Sequence, residues 1–476
     1  MLIINRIKVI FLTLIFTIIL MVIIFGYTKA ASVSEQPFSL EKINTSSTTE
    51  VILTPPEDVN VTILTDEYVM PAAELATTKT NPDIIIIENK YIKMSVVPNR
   101  GRLIFDYLFK PTDNNELFSS TRPSPVKIDR DYVVEFGGYY LSIPWNPRAR
   151  QPYDLEYELI EKGPAIVKVY VWGEDPMNLA FMEAWIIVEQ DASLVQIETK
   201  ISNKSDEDIP IELSDYAVVA PGGGLTENSQ FIIPTSEVII EKSKDNWMGM
   251  TGDVISWPSA WSKWSNFEQF GLFNIKMDKM MEAFVAINNS DAGDTLIKLW
   301  EPADFFDGLR VWSWGKNYKD TRGAKPTANF ENYTGAISIP AGKSIDFVTY
   351  FYTLKDMQNI TMANTNFTGR LDVDKQIYKV GEDQSINFQS QIGSSKDYRN
   401  MNLQVLLTDF DGVVMTQFSK EEVSAISPTK LYNGAWKINL NDKTVESGEY
   451  IVKLELSDAN NVLVFTIESI PFLITK

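Results

Sequence analysis

The sequence predicts an all-β protein: one large antiparallel sandwich or barrel, then a smaller β-sandwich, with one apolar helix in front. Three observations predict it. From Ile84 onward, short runs of β-branched and aromatic residues recur, separated by Gly, Pro, Asn and Asp, and no long amphipathic helix interrupts them. Beyond Gly369 the runs shorten to an even spacing typical of small sandwiches. Before Ile84 the composition changes twice, from an uncharged apolar stretch to a Ser/Thr/Pro-rich one.

The elements follow in order. Arg6 and Lys8 precede an uncharged run of 20 residues from Val9 to Thr28. That run is long for a signal sequence and matches the roughly 20 residues that span a bilayer. Thr28 and Ala30 also supply small residues for a signal-peptidase site. Residues 1–30 therefore read as an uncleaved anchor or a cleaved signal. Positive charge before the run places the bulk of the chain outside the cytoplasm, either at the cell membrane or secreted. Residues 31–82, with Asn44-Thr45-Ser46-Ser47-Thr48-Thr49 and Thr54-Pro55-Pro56, read as a disordered stalk.

Residues 83–357 carry the large unit. Tyr91 to Val97 alternates apolar and polar side chains, and further runs include Ala165–Trp172, Ala184–Val188, Leu194–Ile201 and Ile345–Tyr352. Trp257, Trp261 and Trp264 fall at helical spacing and predict a short, partly exposed helix. Residues 368–476 carry the second unit, with Asp411-Gly412 as a hairpin turn signal. Its Tyr378-Lys379-Val380-Gly381-Glu382 opening and Gly448-Glu449-Tyr450 strand resemble the immunoglobulin-like and macroglobulin-like modules of bacterial surface proteins.

Composition narrows the chemistry. The chain has no histidine and no cysteine. That excludes Ser-His-Asp and Cys-His catalysis, histidine or thiolate metal sites, disulfides and a cysteine lipid anchor. Proton transfer near neutral pH is left to carboxylates, or to a strongly perturbed Lys or Tyr. Formal net charge is −20, which disfavours nucleic acid as a partner.

Three stretches resemble the galactose mutarotase-like supersandwich of aldose 1-epimerases. They are Asn89 to Ile104 with Pro98-Asn99-Arg100-Gly101-Arg102, then Phe136-Gly137-Gly138 to Pro144-Trp145, then Ile339-Pro340-Ala341-Gly342 to Tyr352. Val311-Trp312-Ser313-Trp314-Gly315 is similar to a segment of an uncharacterised branch of that superfamily. The resemblance implies a large antiparallel supersandwich that accommodates sugars. The family's catalytic histidines would fall near Asn146–Arg150 and Leu213–Ala217, where this chain has none.

The expected role is therefore an exported carbohydrate-binding protein of the cell envelope, more naturally non-catalytic. The groove is expected to use Arg102, Tyr139, Trp145, Asp215, Tyr216, Trp312 and Trp314, since aromatic rings stack on the C–H faces of sugars. A competing reading is a carboxylate-dependent lyase, hydrolase or epimerase using Glu301, Asp304 or Glu331. A third is a structural surface protein whose sandwiches contact other proteins. No cofactor is expected. Glu301-Pro302-Ala303-Asp304-Phe305-Phe306-Asp307 leaves Ca²⁺ open as a ligand of that loop.

Overall fold

The computed structural model describes residues 38–42, 57–64, 83–128, 131–143, 155–174, 180–316, 326–418, 420–440 and 446–476. Strands dominate them, joined by turns and 3₁₀ segments. The apolar run of residues 9–28 lies outside the described residues. No helix among those described is long and apolar enough to cross a membrane.

The large unit packs a long sheet of 13 strands against a short sheet of eight. The long sheet runs through Val254–Ser256, Glu237–Ser243, Gly271–Lys276, Gly308–Ser313, Ala328–Tyr333, Ser214–Val219, Asp131–Ser142 and Arg102–Phe109 to the N-terminal strands. The short sheet runs from Ser229–Ile232 through Phe284–Asn289, Asp294–Trp300, Ser344–Lys355, Val195–Ser202, Phe181–Glu189 and Ile166–Glu174 to Glu156–Lys162. Neighbours within the short sheet pair antiparallel.

Alternation builds the core. In Phe181–Glu189 every second residue is buried, because successive side chains of a strand point to opposite faces. The buried set joins Ile197, Val169 and Phe351 of the short sheet to Phe330, Val311 and Tyr139 of the long one. Gly138 lets two long-sheet strands approach closely. It sits at φ +76°, and a Cβ there would collide with the Ile104 carbonyl oxygen.

The small unit is a second sandwich, with Trp436 stacked on Phe388 in its own core. Asp409 to Val414 forms the expected hairpin, with Gly412 at φ +82°. The stretch expected to be a stalk contributes two strands. Phe38–Lys42 pairs with Tyr432–Leu440 of the small sandwich, and Asn60–Leu64 pairs with Ile84–Glu88 of the large one. Phe38-Ser39-Leu40 alternates, and Leu40 packs on the small core. The two sandwiches meet where Lys90 pairs with Asp397 at 2.7 Å and the Tyr91 hydroxyl donates to the same carboxylate. Nearby, the Ser193 amide donates to the Ser395 carbonyl at 2.7 Å.

The helix expected over Trp257–Trp264 is replaced by 3₁₀ turns at Ala260–Ser262 and Trp264–Asn266. Ser259 accepts a hydrogen bond from the Trp261 amide and caps the first of them. Trp257 and Trp264 are buried in the main core rather than exposed.

Candidate functional site

The long sheet has two faces, and register decides which residues share one. Tyr140, Tyr216, Glu331, Arg310 and Asn274 are paired in sequence across five neighbouring strands. They therefore form one row on the face directed away from the short sheet. The next row holds Gly138, Val218, Asn329, Trp312 and Leu272.

The polar half of this face is a chain of charge. The Ser214 hydroxyl donates to Glu331 Oε1 at 2.5 Å, and Arg310 Nη1 lies 3.4 Å from that oxygen. Arg310 Nε donates to Glu241 Oε2 at 2.9 Å, and Asn274 donates to the same oxygen at 2.8 Å. The guanidinium also lies over the Tyr333 ring, 3.9 Å from its centroid. Burial works against the Arg310 charge, but Glu331 and Glu241 outweigh it and hold its pKa above the usual value. Exposure rises along the chain, from 2% for the Glu331 side chain to 18% for Arg310 and 31% for Glu241.

The apolar half is aromatic. Tyr140, Tyr216 and Trp312 form a cluster apart from the main core, bordered by Phe118, Phe270 and Trp314. Trp312 and Trp314 meet edge to face at 5.6 Å. Arg102 is buried, with its guanidinium 3.9 Å from the Tyr140 centroid. Arg102, Tyr216, Trp312 and Trp314, expected in one groove, thus come together, and Glu331, expected with Glu301 and Asp304, joins them instead.

Other expected residues do not. Asp215 and Tyr139 point the opposite way, because each is adjacent in sequence to a residue of the outward row. Asp215 is fully buried between the sheets, 3.1 Å from Lys298 Nζ, and accepts from the Thr349 hydroxyl at 2.8 Å. Lys298 also reaches the Asn332 side-chain oxygen at 3.1 Å. Burial pushes the Lys298 pKa down, against the pull of Asp215. Tyr139 sits edge-on to Phe351 in the core. Trp145 lies outside the described residues.

Glu301 and Asp304 are exposed on the loop after Trp300. Glu301 accepts from the Tyr350 hydroxyl on the short sheet. Glu331 instead lies within the strand Ala328–Tyr333 of the long sheet. Among the described residues, no group of three or more carboxylates is placed to hold a metal ion.

Sequence reasoning passed over Glu241, Asn274 and Arg310 as members of the site. Strand alternation from Trp312 would have found Arg310. Glu241 was not accessible that way, because the pairing register shifts between Ile240 and Lys242.

No protein-family model matches the chain, and no curated protein sequence matches it. Solved structures do. A TPR-domain containing protein from Parabacteroides distasonis is 12% identical over 68% of this chain, with a TM-score of 0.47, and the chain spans 56% of that protein's length. A galactose mutarotase-like protein from Clostridium acetobutylicum is 11% identical over 63% of this chain and 99% of its own, with a TM-score of 0.43. A galactose mutarotase related enzyme from Lactobacillus acidophilus is 12% identical over 59% of this chain and 100% of its own, with a TM-score of 0.38. At such scores these likenesses assign no residue of this chain a role. The solved structures it is similar to include galactose mutarotase-like proteins, matched over about 60% of its length.

Proposed function

We propose that the outward face of the long sheet binds a carbohydrate and does so without catalysing mutarotation. One observation carries the reading. The row Tyr140–Tyr216–Glu331–Arg310–Asn274 sets a hydrogen-bonding charge chain beside the Trp312 and Trp314 rings. Rings take the C–H face of a sugar, while carboxylate, guanidinium and amide take its hydroxyls. With no histidine in the chain, ring opening lacks its usual proton donor, a contribution of about 10²–10⁴-fold. Calorimetric titration against a panel of oligosaccharides tests the reading. Binding that weakens in Glu331→Gln and Trp314→Ala supports it. No binding across the panel, or binding that neither change affects, overturns it.

A second reading rests on Glu331 and Glu241, two carboxylates bridged by the Arg310 guanidinium. Paired carboxylates can run glycoside chemistry. Release of reducing ends from an oligosaccharide, abolished by both Glu331→Gln and Glu241→Gln, would favour it over simple binding.

For localisation we propose an exported protein, tethered by residues 1–30 or released after their cleavage. The apolar run behind Arg6 and Lys8 supports it. External trypsin on intact spheroplasts should reach the folded units; their protection would count against export.

A further inference from the structure

Among the described residues, the outer face of the short sheet is only partly covered. On one half, Leu299, Tyr350, Tyr352 and Leu354 are sealed by Met357, Ile360 and Ala363 of the segment leading to the small sandwich. The other half is built by Val195–Ser202, Phe181–Glu189, Ile166–Glu174 and Glu156–Lys162. There, every second side chain stays partly exposed.

Three aromatic residues occupy the middle of that open half. The Tyr170 ring stacks on Trp172 at 4.7 Å and 21°, and on Trp185 at 5.0 Å and 22°. Register surrounds them with carboxylates. Glu158 is opposite Tyr170, Glu156 and Glu183 are opposite Trp172, and Glu198 is opposite Trp185. The Tyr170 hydroxyl donates to Glu183 at 2.8 Å. Lysines share the face too: Lys168 pairs with Glu198 at 3.4 Å, Lys200 stands opposite Glu183, Lys204 lies over the Phe181 ring and Lys396 pairs with Glu189 at 3.3 Å.

This arrangement fits a cation better than a neutral or acidic ligand. An indole face attracts a positive charge through its quadrupole, most strongly when the site is partly desolvated. Neighbouring carboxylates repel one another until a cation lies between them. A neutral sugar can stack on the rings and hydrogen-bond the carboxylates but gains no Coulomb attraction from their charge, and an acidic polymer would be repelled. The rings and carboxylates spread over four strands, about 14 Å at the usual ~4.8 Å spacing, which exceeds one ammonium group and suits several consecutive side chains.

We propose that the open half of the short sheet's outer face docks an extended, lysine- or arginine-bearing polypeptide segment. Its cationic heads lie on the Trp172 and Trp185 rings, within reach of Glu183 and Glu198. This surface is separate from the face around Glu331, on the other sheet, and stands independently of the carbohydrate reading.

The test uses the full chain and three probes in calorimetric titration: deca-lysine, deca-glutamate and cellohexaose. Two variants remove the face differently. Trp172→Ala with Trp185→Ala removes the rings, and the near-isosteric Glu183→Gln with Glu198→Gln removes charge without removing packing. Glu455→Gln with Glu468→Gln, on the small sandwich, controls for general attraction to an acidic protein. Deca-lysine should bind, and each face variant should weaken it about tenfold, the expected size for a partly desolvated cation–π and ion-pair site. The control pair should stay within about twofold. Equal weakening in the control pair would reduce the effect to bulk charge and overturn the proposal. Cellohexaose binding lost on removing Trp172 and Trp185, with deca-lysine failing to bind, would make the face a glycan platform and overturn it equally.

Discussion

Asp215 and Tyr216 are neighbours in the chain and lie on opposite faces of one sheet. Asp215 is sealed between the sheets against Lys298, while Tyr216 joins the outward row with Glu331 and Arg310. Both faces hold acid–base pairs, but solvent treats them differently. Asp215 and Lys298 are both fully buried, whereas the outward chain opens toward solvent at Glu241. An ion pair sealed between sheets belongs to the fold; one that opens at its end can exchange a partner for a ligand. The comparison teaches that residue type alone does not mark a site. Accessibility at one end of the charge chain is what separates the two faces.

The largest effect should come from halving the buried pair. Lys298→Met leaves Asp215 without its ammonium and should cost about 3–5 kcal/mol in denaturant unfolding. Lys298→Met combined with Asp215→Leu should recover much of that loss. If the double variant is as unstable as the single one, the two residues are not acting as a pair. On the outward face, Glu331→Gln should cost only about 1 kcal/mol, since an amide can still meet Ser214. Its effect should instead appear as weaker oligosaccharide binding, and a change in stability alone would blur the contrast between faces.

A third buried acid sharpens the comparison from another side. Among the described residues no lysine pairs with Glu116; it lies with Asp294, and both are fully buried. Burial first, and then the Asp294 charge, raise the Glu116 pKa well above its ordinary 4.5. Asp294 is also raised, chiefly by burial. The folded state therefore keeps a proton that the unfolded chain releases above pH 4.5, so stability falls as pH rises beyond that point. Glu116→Gln should flatten the fall and be more stable than the natural chain near neutral pH. Identical pH profiles in chemical denaturation would show that Glu116 is not the group responsible.

The smallest effect should lie at the edge of the small sandwich. Leu40→Asp places a charge against that core and should lower its unfolding transition by about 1 kcal/mol. No change would mean that Phe38–Lys42 adds nothing to the sandwich it pairs with.

Much of this was legible in the sequence. Period-two runs announced the strands, and Asp411-Gly412 announced its hairpin, because each depends on local chemistry. Tyr216 and Trp312 were expected in one groove and share a face, whereas Glu331, expected with Glu301 and Asp304, joins them only through strand pairing. Tyr139 and Asp215 fall on the opposite face for one reason: successive residues of a strand cannot share a face, and each stands beside a residue of the outward row. Glu241 was hidden by a register shift, which breaks the parity on which such reading depends. Phe38–Lys42 was read as stalk because so short an alternation inside a polar stretch acquires meaning only from a distant edge.

That last strand has a consequence for the order of assembly. Phe38 lies opposite Leu440, so one of the earliest described segments to leave the ribosome waits for one of the last. Closing so long a loop is entropically slow, and the small sandwich cannot be completed on a nascent chain that lacks residue 440. Until then its edge is open and Phe38–Lys42 is exposed to proteases. Chains stalled before that point should be cut there, and full-length chains should resist.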